Sequence, residues 1–411
     1  MRTSPSPRLP RVTDRDALLT TARAALAAGD SVLLTGEPGI GRTTLLAELA
    51  ADRPPGGLVL RCAPAEAERH LPFLGMIDLL ADADDDTLFT DLSARERAVL
   101  RAALHRSPQS PQEAPHDQPY DDGTVLTLRV AVLKALTALC ARAPVLLVVD
   151  DAQWLDRPTA ETLAFAARRA RRLPLSVIAA VRTPETGPAA EVRPAETLCP
   201  PPVVTLSVPP MSEREVAALL ARHGREGGPG WGRPLLARLH AAAGGNPYVA
   251  VELARAVAEE CRTAGQPPTG PLPVPAAVRR LLLDRLAPLG PRARRTLLAA
   301  SAAALPHSLG LGGAPATLAL LRRAGCDDAA ADVHEAVRLG VLEPSATGLV
   351  RFAQPLMPRV VYEEAAPAGR RRVHAALAEA ADDPVERAHH LASSAPGWDA
   401  VAAAALAEAA T

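Results

Sequence analysis

The segment Gly36-Glu37-Pro38-Gly39-Ile40-Gly41-Arg42-Thr43 constrains this chain more than any other stretch. A short apolar run at 31–34 leads into it, and residues 44–50 carry the apolar spacing of an amphipathic helix leaving it. Strand, glycine-bearing loop and helix in that order form a cradle. Glycines let successive backbone N–H groups turn inward and hold a polyphosphate at the mouth of the helix, whose dipole favours negative charge. Gly36, Glu37, Pro38, Gly39, Ile40 and Gly41 make the loop, and Thr43 and Thr44 stand at the helix start, with the Thr43 hydroxyl placed for Mg2+. Every fixed position of the P-loop pattern is met except one, because Arg42 stands where the pattern has lysine. A compact ammonium bridges the β- and γ-phosphates, whereas a guanidinium is planar, longer and forked. The exchange is expected to spare binding better than hydrolysis.

A second constellation follows about a hundred residues later. The uninterrupted apolar run Val145-Leu146-Leu147-Val148-Val149 suits a central parallel strand and ends in Asp150-Asp151. The first acid, at the strand's end, is placed to bind water on Mg2+, and the second to orient or deprotonate an attacking water. Arg182 closes another apolar strand, where a basic side chain can sense a γ-phosphate through charge-assisted hydrogen bonds or simply be solvated. Gly244-Gly245-Asn246-Pro247 reads as a helix-terminating turn.

Strand candidates at 31–34, 58–62, 145–149, 176–181 and 203–206 alternate with helical segments, which implies a doubly wound α/β sheet with helices on both faces. Residues 107–123 are a Pro-, Gln- and Asp-rich interruption, expected as a flexible surface insertion. Beyond about residue 208 the strand series ends, and Ala- and Leu-rich helical periodicity takes over. Residues 267–273 read as a linker, and from about residue 369 an alanine-rich helix runs to the last residue without a glycine cap or following proline, as if cut mid-element.

A chain of 411 residues with 48% hydrophobic content is long enough for roughly two to four domains. The formal charge of −1 removes any global argument for attraction to nucleic acid or membrane. Lys134 is the only lysine in a chain rich in alanine, arginine and proline, so codon bias also accounts for Arg42. Cys62, Cys140, Cys199, Cys261 and Cys326 are scattered without CxxC spacing, which suggests buried thiols in a reducing compartment. No apolar run reaches bilayer-spanning length and the N-terminus lacks a signal-peptide core, so a cytoplasmic protein with no membrane partner is expected.

The P-loop, Val148-Val149-Asp150-Asp151-Ala152-Gln153-Trp154-Leu155-Asp156, Arg182 and Gly244-Gly245-Asn246-Pro247-Tyr248 together resemble the large ATP-binding regulators of the LuxR type, within the STAND class of P-loop ATPases related to AAA+ proteins. Leu71-Pro72-Phe73, Val274-Pro275-Ala276-Ala277-Val278-Arg279, Phe352-Ala353-Gln354-Pro355-Leu356 and Arg370-Arg371-Arg372-Val373-His374-Ala375-Ala376-Leu377 extend the likeness over nearly the whole chain. The resemblance implies a P-loop ATPase core at 1–207, a helical lid at 208–265, a winged-helix-like helical domain at 266–365 and the start of a helical-repeat region at 366–411. It implies ATP or ADP with Mg2+ as cofactors, a switch between nucleotide states, and DNA contact only through a C-terminal domain that this chain does not contain. Self-association is compatible with such a module. Carried over, Gly36, Gly39, Gly41 and Thr43 bind phosphate and Mg2+, Asp150 binds Mg2+, Asp151 assists water, and Arg182 and Pro247 sit near the nucleotide. Gln354 departs from the pattern, which usually has histidine before Pro-Leu. A non-hydrolysing nucleotide-binding protein or structural scaffold with a degenerate P-loop is the alternative.

Three further features read as structure. Trp154 is expected as a buried aromatic anchoring its loop. His389-His390 are neighbours that point apart on a helix, without a visible third metal ligand. Arg370-Arg371-Arg372 is expected as a solvated helix face.

Overall fold

The computed structural model describes residues 14–52, 56–104, 122–170, 172–182, 198–223, 232–266, 268–305, 316–395, 397 and 400–409. They fall into two compact units divided between Pro210 and Met211. The interruption at 107–123 lies outside the described residues except for its last two, which open a helix.

The first unit is built on a five-stranded parallel sheet of β1 (Ser31–Gly36), β2 (Leu58–Cys62), β3 (Val145–Val149), β4 (Leu175–Arg182) and β5 (Val203–Ser207), in the order β2-β3-β4-β1-β5. Successive residues of each strand face opposite sides, so the apolar runs must feed two cores. Leu33, Leu147, Val177 and Ala179 pack on one side against α3 (Leu74–Leu80), α4 (Asp85–Phe89), α5 (Ala94–Ala103), α6 (Asp122–Arg142) and α7 (Arg157–Arg169). Val32, Leu34, Val148, Ile178 and Ala180 pack on the other against α1 (Arg15–Ala27) and α2 (Arg42–Ala51). This is the layered α/β architecture that the alternating elements predict.

Because β4 lies between β1 and β3, the carboxyl ends of these strands share one edge of the sheet. Gly36 is in register with Arg182, and Val149 with Ala179. The glycine loop, the acid pair and Arg182 therefore converge by topology, before any side chain is considered.

One expectation is corrected. Helix α6 has 21 residues and contains an 18-residue stretch with a mean hydropathy of 1.7, long and apolar enough by length and composition to cross a membrane. The sequence hides this because Thr127, Arg129, Lys134 and Thr137 interrupt the apolar residues one at a time. Leu128, Ala131, Val132, Ala135, Leu136 and Leu139 are buried in the core beneath the sheet, which accounts for the composition as that of an interior helix. Burial also pushes the thiols of Cys140 up to about 11 and Cys199 up to about 12, while Cys261 is only half-buried.

The second unit is helical: α8 (Glu213–His223), α9 (Arg233–Ala243), α10 (Pro247–Ala264), α11 (Ala276–Leu286), α12 (Pro291–Ala304), α13 (Leu318–Arg323), α14 (Ala329–Arg338), α15 (Met357–Glu364), α16 (Pro367–Ala380), α17 (Pro384–Ser394) and α18 (Ala400–Ala409). Its only extended pairings among the described residues are isolated antiparallel bridges, Thr317 with Leu349 and Leu342 with Phe352. The Gly-Gly-Asn-Pro segment ends one helix and starts the next. Gly244 closes α9 at φ 60°, and the Asn246 side chain accepts from the backbone of Tyr248 and Val249 to cap α10. A side chain at Gly244 would meet Pro355 Cδ at 2.9 Å, and Gln354 Nε2 donates to the carbonyl of Ala242 at 3.2 Å. The two motifs are thus packed together. The proline-rich stretch over 268–273 is tied down, since Arg238 Nη1 donates to Pro268 O at 2.6 Å and Leu272 is buried. Among the described residues the alanine-rich tail is three helices, not one: Asp383-Pro384 caps and starts the second, and the third begins again at Ala400.

Candidate nucleotide-binding site

The loop after β1 owes its shape to glycine at two positions with positive φ, Gly39 at 78° and Gly41 at 97°, where side chains are strained. Gly36 is required for space instead: a Cβ there would lie 2.8 Å from Ile40 Cγ2 and 3.3 Å from Val208 Cβ. Ile40 is buried, Glu37 and Pro38 are half-buried, and Arg15 Nη2 donates to Ile40 O at 2.5 Å, holding the loop from α1. Gly41 occupies the N-cap of α2, and no side chain caps that helix. The first-turn N–H groups of α2 and the positive end of its dipole thus stand at the loop, with Thr43 and Thr44 exposed on that turn.

Across the sheet edge, the acid pair meets this helix. Thr43 Oγ1 donates to Asp150 Oδ2 at 2.5 Å, and Arg42 Nη2 donates to Asp151 Oδ1 at 3.1 Å. Arg182 Nε lies 3.5 Å from the same Asp151 oxygen, and Gln153 Nε2 donates to it at 2.9 Å. Gln153 also accepts from the Arg182 backbone N–H at 3.2 Å, so it fixes Asp151 and the end of β4 at once. Asp151 itself sits in the left-handed region at φ 40°, a conformation that acidic and amide side chains tolerate better than others and that recurs at functional sites. Arg42, Thr43, Asp150, Asp151 and Arg182 are therefore brought together. Pro247 belongs to the second unit, where it opens α10.

Arg42 is 7% exposed. Burial lowers its pKa, Asp151 and Asp150 pull it back up, and a guanidinium keeps its charge throughout. Its Nη1 is buried without a hydrogen-bond partner among the described residues. A buried cationic donor left unpaired beside an uncapped helix start is a place where an anion gains and water loses, which fits a polyphosphate. A hydroxyl and a carboxylate 2.5 Å apart likewise match the hard-oxygen donors that Mg2+ takes.

Several residues that matter here carried no assigned role in the sequence. Arg15 gives no signal, since its partner is a backbone carbonyl. Asp156 is 3% exposed and accepts from the backbone of Phe73 at 2.9 Å, Gly75 at 3.1 Å and Thr159 at 2.9 Å, so it caps α7 while pinning the Leu-Pro-Phe turn. An acid just before an Arg-Pro helix start is a capping signal that could have found it. Trp154 is half-buried rather than buried: Arg69 and Arg182 lie 5.8 and 5.7 Å from its ring centroid, and these guanidiniums keep the ring at the surface.

Residues 11–178 match the sequence model of the AAA ATPase domain. No curated protein sequence matches the chain. Among solved structures, a Walker-type ATPase of Pyrococcus abyssi is similar at 16% identity and a TM-score of 0.50, covering 87% of this chain and 99% of that one. Cdc6p of Pyrobaculum aerophilum is similar at 15% identity and a TM-score of 0.40, covering 88% and 97%. A STAND protein with a tetratricopeptide repeat sensor from Pyrococcus horikoshii is similar at 13% identity and a TM-score of 0.35, covering 94% of this chain and 48% of that one. The chain thus contains an AAA-type ATPase domain with a nucleotide-binding fold.

Proposed function

We propose that the chain is the nucleotide-controlled module of a cytoplasmic regulator of the LuxR type, binding ATP or ADP with Mg2+ at the glycine loop and changing conformation with the nucleotide state. The observation that carries this reading is the 2.5 Å approach of Thr43 Oγ1 to Asp150 Oδ2, two groups 107 residues apart in sequence. Thr43 and Asp150 hold Mg2+, and the loop amides, Arg42 and Thr44 hold the phosphates. Mg2+, when bound, neutralises charge on the phosphate oxygens. Asp151 orients and deprotonates water, and Arg182 reads the terminal phosphate.

The ion pair between Arg42 and Asp151 supports a switch. A phosphate in the loop, engaging the unpaired Nη1, and the Asp151 carboxylate on Nη2 compete for the position of one buried guanidinium, so filling the loop favours a state in which Asp151 is released. A ligand shifts an equilibrium only through differential affinity, and this competition supplies it. In this reading residues 208–265 act as lid, 266–365 as the winged-helix-like domain and 366–411 as the first part of a helical-repeat sensor. DNA is reached through a separate domain.

Arg42→Lys tests the scheme. A shorter, compact ammonium gives up the Nη2 contact that ties Arg42 to Asp151 and reaches the phosphates as a point charge, so ATP turnover is expected to rise about tenfold, equivalent to ~1.4 kcal/mol off the barrier. Affinity is expected to change little. Phosphate release and ATP affinity measured on both proteins decide the matter. The same ion pair favours a second reading, a non-hydrolysing nucleotide-binding scaffold, because it occupies the carboxylate that water activation needs. Binding without turnover in both proteins supports that scaffold, and absence of ATP binding in both overturns the proposal.

A further inference from the structure

His389 and His390 look unpromising in sequence, as neighbours on one helix with no third ligand. The fold supplies the third from α16. His374 on that helix and His390 on α17 are each 3% exposed, and His389 is half-buried beside them. Ring centroids are 5.1 Å apart for His374 and His390, 5.2 Å for His389 and His390, and 6.0 Å for His374 and His389. One ring nitrogen from each histidine lies within 4.8 Å of the others. The adjacent residues converge because they straddle the line along which α17 faces α16, one on either side of it.

We propose that His374, His389 and His390 form a binding site for a divalent transition-metal ion of the Zn2+ class, clamping α17 to α16. The donor set sets the ion. Three neutral imidazoles, with no carboxylate or thiolate among them, favour Zn2+, Co2+ or Ni2+ over the hard ions Mg2+ and Ca2+. In a tetrahedral site with Zn–N bonds near 2.0–2.1 Å, ligand nitrogens stand about 3.3 Å apart. His374 Nδ1 and His390 Nδ1 are already 2.9 Å apart, so they need only a small opening, and His389 a small approach. The Tyr362 hydroxyl lies 2.8 Å from His374 Nε2. With that nitrogen donating its proton to Tyr362, the tautomer that leaves Nδ1 as ligand is fixed, which is the outer-shell arrangement metal-bound histidines use. The half-buried His389 gives the ion a way in, and three protein ligands leave one position for water. All four residues belong to the second unit, so the site stands apart from the nucleotide reading.

The test uses the whole chain, stripped with a chelator and titrated with Co2+ and then Zn2+. One equivalent of Co2+ is expected to give the visible absorption of a tetrahedral nitrogen site, which Zn2+ abolishes by displacement. Zn2+ is also expected to raise Tm with concentration. His389→Ala, at the most accessible corner, is expected to weaken Zn2+ binding at least about 100-fold, and Tyr362→Phe roughly 10-fold. A readout that needs no variant is protection of His389 by Zn2+ against diethyl pyrocarbonate. Parent-like metal binding by His389→Ala overturns the proposal, as does a parent chain in which Zn2+ neither raises Tm nor protects His389.

Discussion

Asp151→Asn is expected to lower ATP turnover by about 10²- to 10⁴-fold, the usual contribution of a positioned general base, while ATP affinity changes far less. The substitution is well matched to the question. Asp151 adopts a left-handed conformation at φ 40°, and asparagine accepts that region as readily as aspartate, so backbone strain is unchanged. The amide oxygen still accepts from Gln153 and Arg42, which sit 2.9 and 3.1 Å from Asp151 Oδ1, so the loop keeps its shape. What disappears is the negative charge and the ability to take a proton from water. Phosphate release measured beside the affinity for a fluorescent ATP analogue separates the two effects. A rate equal to the parent's would assign water activation to another group and leave Asp151 as a holder of Arg42.

The largest stability effect is expected at Asp156, outside the phosphate loop. Asp156→Ala leaves the backbone N–H groups of Phe73, Gly75 and Thr159 without their acceptor in a buried place. Each orphaned donor costs about 1–3 kcal/mol, and with each near the lower end as the turn relaxes around the smaller side chain the total is expected at roughly 3–5 kcal/mol. Phe73 adds to this, because its φ of 64° is held by the same carboxylate. For a unit of this size the loss corresponds to a Tm fall on the order of 10 °C. Urea unfolding followed by circular dichroism checks it. A change below about 1 kcal/mol would mean that water replaces the carboxylate, contrary to its burial.

The sheet was readable in the sequence for a definite reason. Strands buried on both faces must be apolar at every position, and the runs at 145–149 and 176–181 have no other easy use. The placement of β4 between β1 and β3 was not readable, because strand order is set by helix packing across the faces rather than by any local signal. The glycine loop and acids announced themselves through residue types that only special backbone or chemistry requires. Gln153 and Arg15 did not, since Arg15 works through a backbone carbonyl remote in sequence and Gln153 joins its neighbour Asp151 to a remote backbone N–H. Helix α6 was obscured by single polar residues that a helix turns to one side, and the histidine cluster by the assumption that a helix face is narrower than two adjacent residues.

The glycine loop and the acid pair must act as one pocket for a magnesium nucleotide if the protein works in this way. Calorimetric titration of ATP, with and without Mg2+, into the parent chain, Thr43→Ala, Asp150→Ala and the double variant tests this directly. Mg2+ is expected to strengthen ATP binding in the parent. Each single change is expected to remove that gain, about 1.5–3 kcal/mol for a charge-assisted contact, and the double variant to lose no more than either alone, since both groups serve one ion. Mg2+-independent binding in the parent, or losses that simply add in the double variant, would contradict it.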